Sequence, residues 1–366
     1  MTPRSDVPLA SYCTMEVGGP ARWFVDARDE VAVCNALAWA AQRDVPVHVL
    51  GGGSNVVIAD EGIDGLVIRV DIRGIEASER EGRVYYAVAA GEPWDSFVAK
   101  TVTHDCAGLE CLSGIPGLVG GTPVQNVGAY GQDVSGSIVR VRVIERSTGQ
   151  RVEWSNADCA FAYRSSRLKR DDVNRFIVTK VEFALVPGGR AALTYADVVK
   201  YFAERGINEP ALTAVRAAVL EIRRRKGMVI DGGPTSVRSC GSFFVNPVVS
   251  MRTFERIVRL SAPDAVPHFR VDNGLVKIPA AWLIERAGFR RGWTRGAVGI
   301  SPFQSQAIVN HGGARAADIL ALACEVKHAV SDRFGVALVP EPVFVGFRES
   351  SETRFLSSRV PGFQGC

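Results

Sequence analysis

Two stretches of small residues stand out as places where the backbone itself could bind a ligand. Residues 113–131 read SGIPGLVGGTPVQNVGAYG, with six glycines and two prolines, and residues 51–55 read GGGSN. Glycine lets backbone N–H groups come close to a bulky ligand, and proline sets the turns between those approaches. A glycine loop directly after the apolar run VPVHVL exposes successive N–H groups, and Ser54 and Asn55 add side-chain donors; the set suits a pyrophosphate. The guest implied is a phosphate-bearing cofactor. GGGSN taken alone fits a plain turn equally well. Its spacing is not G-x-G-x-x-G, and a strand rather than a helix is expected after it, which argues against a Rossmann site.

Other chemistry-bearing types are scattered. The eight cysteines include no C-x-x-C pair, which suits a reduced chain, and the five histidines show no short metal-ligand spacing, so no metal site is expected. A net charge of +4, from 43 basic and 39 acidic residues, is too even for a nucleic-acid protein. The one basic run, RRRK at 223–226, reads as the solvated C-terminal end of a helix. Neither a signal-type apolar core nor a run of about 18 apolar residues is present, so a soluble cytoplasmic protein without membrane contact is expected.

These residues need elements to position them. A helix is expected over 29–42, strands over 45–50, 56–60 and 65–70, and then a strand from 84 and a helix over 93–104 beginning at a proline. SIVRVRVIE and RVEW, joined by STGQ, predict an antiparallel hairpin, and RFIVTKVEFAL a further strand. Pro187, Gly188 and Gly189 mark a boundary. Beyond it lie two helices, a possible strand GSFFVNP, helices over 250–260, 279–287 and 314–334, a final strand VFVGF, and an aperiodic tail over 348–366.

Two glycine-rich loops separated by a strand and helix lobe could flank one extended cofactor. The pair resembles the FAD-binding domain of the vanillyl-alcohol oxidase and p-cresol methylhydroxylase type, and the longer segment resembles that of UDP-N-acetylenolpyruvoylglucosamine reductases, the MurB family. FAYRSSRLK at 161–169, GSFFVNP at 241–247 and VPEPVF at 339–344 resemble, in order, three further segments of that family. Each alone has an ordinary account: a solvated arginine, two core phenylalanines and a surface glutamate. The resemblance runs from about residue 11 to about residue 347. It implies an α+β fold, with FAD-binding lobes at 1–70 and 71–187, a third α+β substrate-binding domain at 188–347, and a tail at 348–366.

The resemblance further implies an enzyme of peptidoglycan precursor synthesis. Non-covalent FAD carries hydride from NADPH to the enolpyruvyl ether of UDP-N-acetylglucosamine, with no obligate protein partner. Arg164 matches the family's catalytic arginine, whose planar, permanent charge suits a carboxylate taking on negative charge. Glu341 matches the glutamate that assists this polarisation, and Ser242 the serine that protonates the α-carbon. Cofactor contacts fall to Gly51, Gly52, Gly53, Ser54, Asn55, Ser113, Gly114, Ile115, Gly117, Gly120, Gly121, Thr122, Gln125, Asn126, Gly128 and Ala129. Substrate contacts fall to Tyr195, in a segment like that of the form with an extra substrate-covering loop, and to Lys226 and Asn246. Leu168, Val245 and Cys240 depart from the family's usual aromatic residue, lysine and alanine; Val245 puts a charge contact to the nucleotide in doubt. A flavin oxidase using oxygen, and a nucleotide-binding module without redox chemistry, are the alternative readings.

Overall fold

In the computed structural model, which describes residues 2–191 and 193–357, contacts divide the chain into two units that each draw on separate stretches. The first takes residues up to Val7, Ala21–Gly53 and Asp64–Ser236; the second takes Pro8–Pro20, Ser54–Ile63 and Val237 onward.

In the first unit, Asp29 caps α1 (Glu30–Ala41) by accepting the Ala32 N–H at 2.6 Å. Val33, Ala36, Leu37 and Ala40 share the buried face of that helix, the spacing expected of an amphipathic turn. They join a core that includes the four-stranded sheet ordered Arg4–Pro8, Pro20–Ala27, Ile63–Val70 and Val47–Leu50. Strands Val47–Leu50 and Ile63–Val70 run parallel, so the chain leaves the end of one directly into GGGSN.

A second, antiparallel sheet is ordered Arg151–Ser155, Ile138–Glu145, Phe176–Pro187, Arg83–Ala89 and Ile75–Arg80. The expected hairpin forms because Val141 and Val143 are buried while the alternating Arg140 and Arg142 both pair with Glu153. α2 (Trp94–Thr103) follows Pro93 and buries Trp94, Phe97, Val98 and Thr101. Phe97 packs on Phe183 with ring centroids 5.1 Å apart, and the Trp94 indole donates to the Leu112 carbonyl at 3.0 Å. That bond fixes the entry to the glycine-rich segment.

After α3 (Arg167–Arg170) come α4 (Ala196–Ala203) and α5 (Leu212–Arg225). Their apolar faces, with Val198, Phe202, Val215, Val219 and Ile222, close over Cys111 of this same unit. Linear segmentation at Pro187 and contact-based division therefore differ: residues 188–236 pack with the first unit, and 54–63 with the second.

The second unit carries α6 (Met251–Ser261), α7 (Ala280–Arg286), α8 (Ala316–Phe334) and α9 (Ser351–Ser357). α8 buries Ile319, Leu322, Ala323, Val326 and Val330 and ends at Gly335 in the left-handed conformation. Val343–Val345 pairs in parallel with Val56–Ile58, which draws 54–63 into this unit. Two expectations change. GSFFVNP is not a strand: Phe243 and Phe244 are 0% and 1% exposed, but the backbone bonds of the segment are divided between the Gln306 carbonyl on one hand and Val339 and Glu341 on the other, with a single isolated bridge at Phe244, so no continuous ladder forms. Within the expected tail, residues 351–357 form α9, whose Leu356 is buried and whose Phe355 and Leu356 carbonyls accept the Lys327 ammonium at 2.5 and 3.0 Å. Burial pushes that ammonium down to about 8. Residues 358–366 lie outside the described residues.

Candidate active site

The two glycine loops meet. A Cβ on Gly52 would lie 2.7 Å from the Gly117 Cα, so this crossing admits no larger residue. Gly51 and Gly121 are different: neither takes a positive φ, and a Cβ on either would meet nothing within 4 Å. The fold does not demand glycine at those two positions, so the open space suits a group the chain itself does not supply. Among the described residues the N–H groups of Gly51, Gly52 and Gly53 donate to no protein acceptor. An FAD diphosphate, which takes N–H donors along an approachable backbone, fits this cradle.

Much of 113–131 is spent on holding its own shape. The Ser113 hydroxyl donates to the Glu110 carbonyl at 2.7 Å and the Thr122 hydroxyl to the Val119 carbonyl at 2.8 Å. Gly120 N–H donates to the Ala90 carbonyl, Gly121 N–H to that of Leu118, and Gly114 N–H to the Asp95 carboxylate at 2.6 Å. Ile115 packs against the core of the unit, and Gln125 is half-buried. Gly128–Ala129 pairs with Gln132–Asp133 across a two-residue turn, Tyr130 and Gly131, both at positive φ (50° and 86°) as a type I′ turn requires.

Arg164 sits in a second tight turn. Ala162 and Ser165 exchange backbone hydrogen bonds at 2.9 and 3.0 Å, and Arg164 between them takes φ 54°, a region that costs a bulky residue energy. The turn is tied to the glycine-rich segment twice: Asn126 donates from its amide to the Ala162 carbonyl at 3.2 Å, and Ser166 donates to the Val124 carbonyl at 2.5 Å. Asn126 also takes φ 49° and accepts the Ser135 N–H. A cofactor-binding candidate thus positions the catalytic candidate.

Tyr195, 39% exposed, stacks edge-on to Tyr130 with centroids 5.4 Å apart, and Lys226 lies 5.6 Å from the Tyr130 ring. Burial works against the Lys226 charge, but its 2.6 Å bond to Asp197 and the nearby Tyr130 phenol raise its pKa above the ordinary lysine range. The basic run is not uniformly solvated. Arg224 and Arg225 are exposed, whereas Arg223 is buried. Its place is readable from the helix: Arg223 is four residues after Val219 and eight after Val215, both buried on the same face of α5. Tyr130 and Asp95 are further members of the site that sequence reasoning does not single out, the first because its left-handed turn has no sequence mark beyond the following glycine.

In the second unit, two segments about a hundred residues apart are joined by their backbones. Glu341 N–H donates to the Phe243 carbonyl and Val245 N–H to the Val339 carbonyl, each at 2.9 Å, so Ser242 and Glu341 are carried on adjoining stretches of chain. Asn55 reinforces this, donating from its amide to the Glu341 carbonyl at 3.2 Å and accepting the Val343 N–H on its backbone carbonyl at 3.0 Å. Asn246 already uses its amide oxygen, which accepts Ala280 N–H at the start of α7 at 2.9 Å and the Gln306 amide at 3.3 Å; its NH₂ is what it can offer a substrate. Ser242 and Glu341 are both half-buried, and Ser54 lies in this unit while Gly51–Gly53 lie in the other.

Burial pushes the thiols of Cys13, Cys111 and Cys159 up to about 12, which leaves them protonated and unreactive. Among the described residues no cluster of histidine, cysteine and carboxylate side chains could hold a metal ion, and no helix is long and apolar enough to cross a membrane.

Residues 21–155 match the family model of an FAD binding domain, and residues 233–345 that of the UDP-N-acetylenolpyruvoylglucosamine reductase C-terminal domain. The protein is therefore an FAD-binding oxidoreductase of α+β fold, as expected. A UDP-N-acetylenolpyruvoylglucosamine reductase from Thermobifida fusca is 45% identical over 355 residues, spanning 93% of this chain and 97% of its own. One from Streptomyces coelicolor is 43% identical over 348 residues, spanning 93% and 90%. The crystal structure of MurB from Thermus caldophilus, 24% identical, shares the fold with a TM-score of 0.64 over 94% of this chain and 99% of that one. The chain belongs to the UDP-N-acetylenolpyruvoylglucosamine reductase family.

Proposed function

We propose that this protein uses NADPH to reduce UDP-N-acetylenolpyruvoylglucosamine to UDP-N-acetylmuramate in cytoplasmic cell-wall precursor synthesis, and so serves growth, shape and division. Non-covalently bound FAD supplies the hydride relay. The glycine loops at 51–55 and 113–129 hold and orient it, within lobes at 1–70 and 71–187, while residues 188–347 supply most of the substrate contacts.

Each proposed role follows from side-chain chemistry. The Arg164 guanidinium offers a planar fork to the enolpyruvyl carboxylate and stabilises the charge that grows there as hydride reaches the β-carbon. Glu341 assists that polarisation. Ser242 gives its hydroxyl proton to the α-carbon, a transfer feasible because an enolate-like carbon is a far stronger base than water. Tyr195, Lys226 and the Asn246 NH₂ receive the sugar nucleotide, with the Lys226 ammonium set for the diphosphate.

The observation that carries this reading is the joining of GSFFVNP to VPEPVF, which brings Ser242 and Glu341 onto neighbouring segments in a chain of this family. An anaerobic titration tests it. NADPH is expected to bleach the flavin band, and the enolpyruvyl sugar nucleotide to restore it stoichiometrically. Bleaching without recovery on substrate, but with rapid recovery in air, would instead indicate an oxidase.

A further inference from the structure

Arg223 is a buried cation without an anion. It is 9% exposed, and among the described residues no carboxylate lies within ion-pair distance of it, although it stands in a run the sequence marks as solvated. Its guanidinium donates to the Met228 carbonyl at 2.7 Å and lies near enough to the Tyr130 phenol to feel it, while its Nε is buried with no partner at all. Asp95 is near enough to be felt, but that carboxylate is already engaged by both terminal nitrogens of Arg216, at 2.6 and 2.8 Å, and by Gly114 N–H. Arg164 adds a repulsive charge. Burial disfavours the charged form, yet a guanidinium keeps its proton in proteins.

An uncompensated buried charge is costly, and a fold has no reason to retain one for stability. The guanidinium also lies against the glycine-rich segment: a Cβ on Gly114, which takes φ 73°, would fall 3.3 Å from the Arg223 Nε. The left-handed turns of Tyr130 and Arg164 present their side chains to the same cluster of charges.

We infer that Arg223 is the fixed counter-charge for an anion delivered by a bound ligand, and that its free Nε–H is the donor kept for that anion. The inference rests on the proposed reaction for the identity of the ligand. Two sources share this chemistry: the carboxylate of the enolpyruvyl group, and the negative charge that reduced FAD carries on its ring. In either case Arg223 binds the charge without exchanging a proton, so its effect is independent of pH across the physiological range.

The test uses the full chain loaded with FAD and the substitution Arg223→Met, which replaces a buried charge by an apolar side chain of similar length. The melting temperature of the variant without substrate is expected to stay level or rise, since an unpaired buried charge has been removed. If the anion is the substrate's, Kd for the enolpyruvyl sugar nucleotide rises about thirtyfold while Kd for UDP-N-acetylglucosamine, which lacks the carboxylate, is unchanged. If it is the reduced flavin's, the midpoint potential of bound FAD falls by about 45 mV, the same thirtyfold change at about 30 mV per tenfold for two electrons. Wild-type values on both readouts overturn the inference. So does a loss of more than about 5 °C in melting temperature, repeated in Arg223→Gln, because that is the mark of a structural residue. Failure of the wild-type protein to be reoxidised by the enolpyruvyl nucleotide would count against the reaction instead, and the potential and melting readouts would still decide the role of Arg223.

Discussion

The glycine-rich segment at 113–131 and the joined segments around Ser242 and Glu341 build candidate binding surfaces in opposite ways. In the first, side chains are withdrawn and the backbone is bent by Asp95, Asn126 and Ser166 into a shape that another molecule can approach closely. In the second, the backbones are consumed by each other and the side chains are left to act. A surface of the first kind is sensitive to any added atom. One of the second kind tolerates changes beside it but not loss of a particular functional group.

Removing that group is therefore the largest expected effect. Ser242→Ala should leave flavin reduction by NADPH intact in stopped flow and slow reoxidation by substrate by roughly 10²–10⁴-fold; unimpaired reoxidation would remove the serine from the mechanism. Arg164→Gln, measured the same way, should cost roughly 10²–10³-fold in the substrate half-reaction. The glycine contrast comes next. Gly52→Ala should destabilise the fold by about 1–3 kcal/mol in urea unfolding, because its Cβ meets the Gly117 backbone at 2.7 Å. Gly51→Ala should unfold like the wild type yet bind FAD about tenfold more weakly in an apoprotein titration, a loss of about 1.4 kcal/mol. Equal behaviour of the two alanines would erase the distinction between a packing glycine and a cradle glycine.

The smallest effect concerns Asp95, which holds Gly114. Burial opposes its charge, but the bonds from Arg216 and Gly114 outweigh this and lower its pKa below the ordinary 3.8. A carboxylate depressed in the folded state contributes stability above its unfolded pKa and loses it as pH falls through the folded value. The melting-temperature gap between wild type and Asp95→Asn should accordingly be constant near neutrality and shrink below about pH 4.

Much of the site was legible because its requirements are local. The loops after Leu50 and Leu112, the hairpin at 138–155, and α1, α2, α5 and α8 follow from glycine, proline and apolar spacing over a few residues. GSFFVNP misled because two adjacent phenylalanines suggest a strand, whereas its backbone hydrogen bonds are divided between Gln306 and the stretch 339–341 and form only one isolated bridge. Contacts group the chain differently from its linear order, because apolar faces on α4 and α5 pack over Cys111 and Val56–Ile58 pairs with Val343–Val345, and neither partner can be read from nearby residues.

By itself the sequence determined the family, the ligand class expected at the glycine loops and the candidacy of Arg164, Ser242 and Glu341, since residue types and their order survive without coordinates. Only the tertiary structure decided which glycines pack and which face open space, which hydrogen bonds hold Arg164 in its turn, and which member of RRRK is buried. Those outcomes depend on what lies across from a residue, and that is set by contacts between distant parts of the chain.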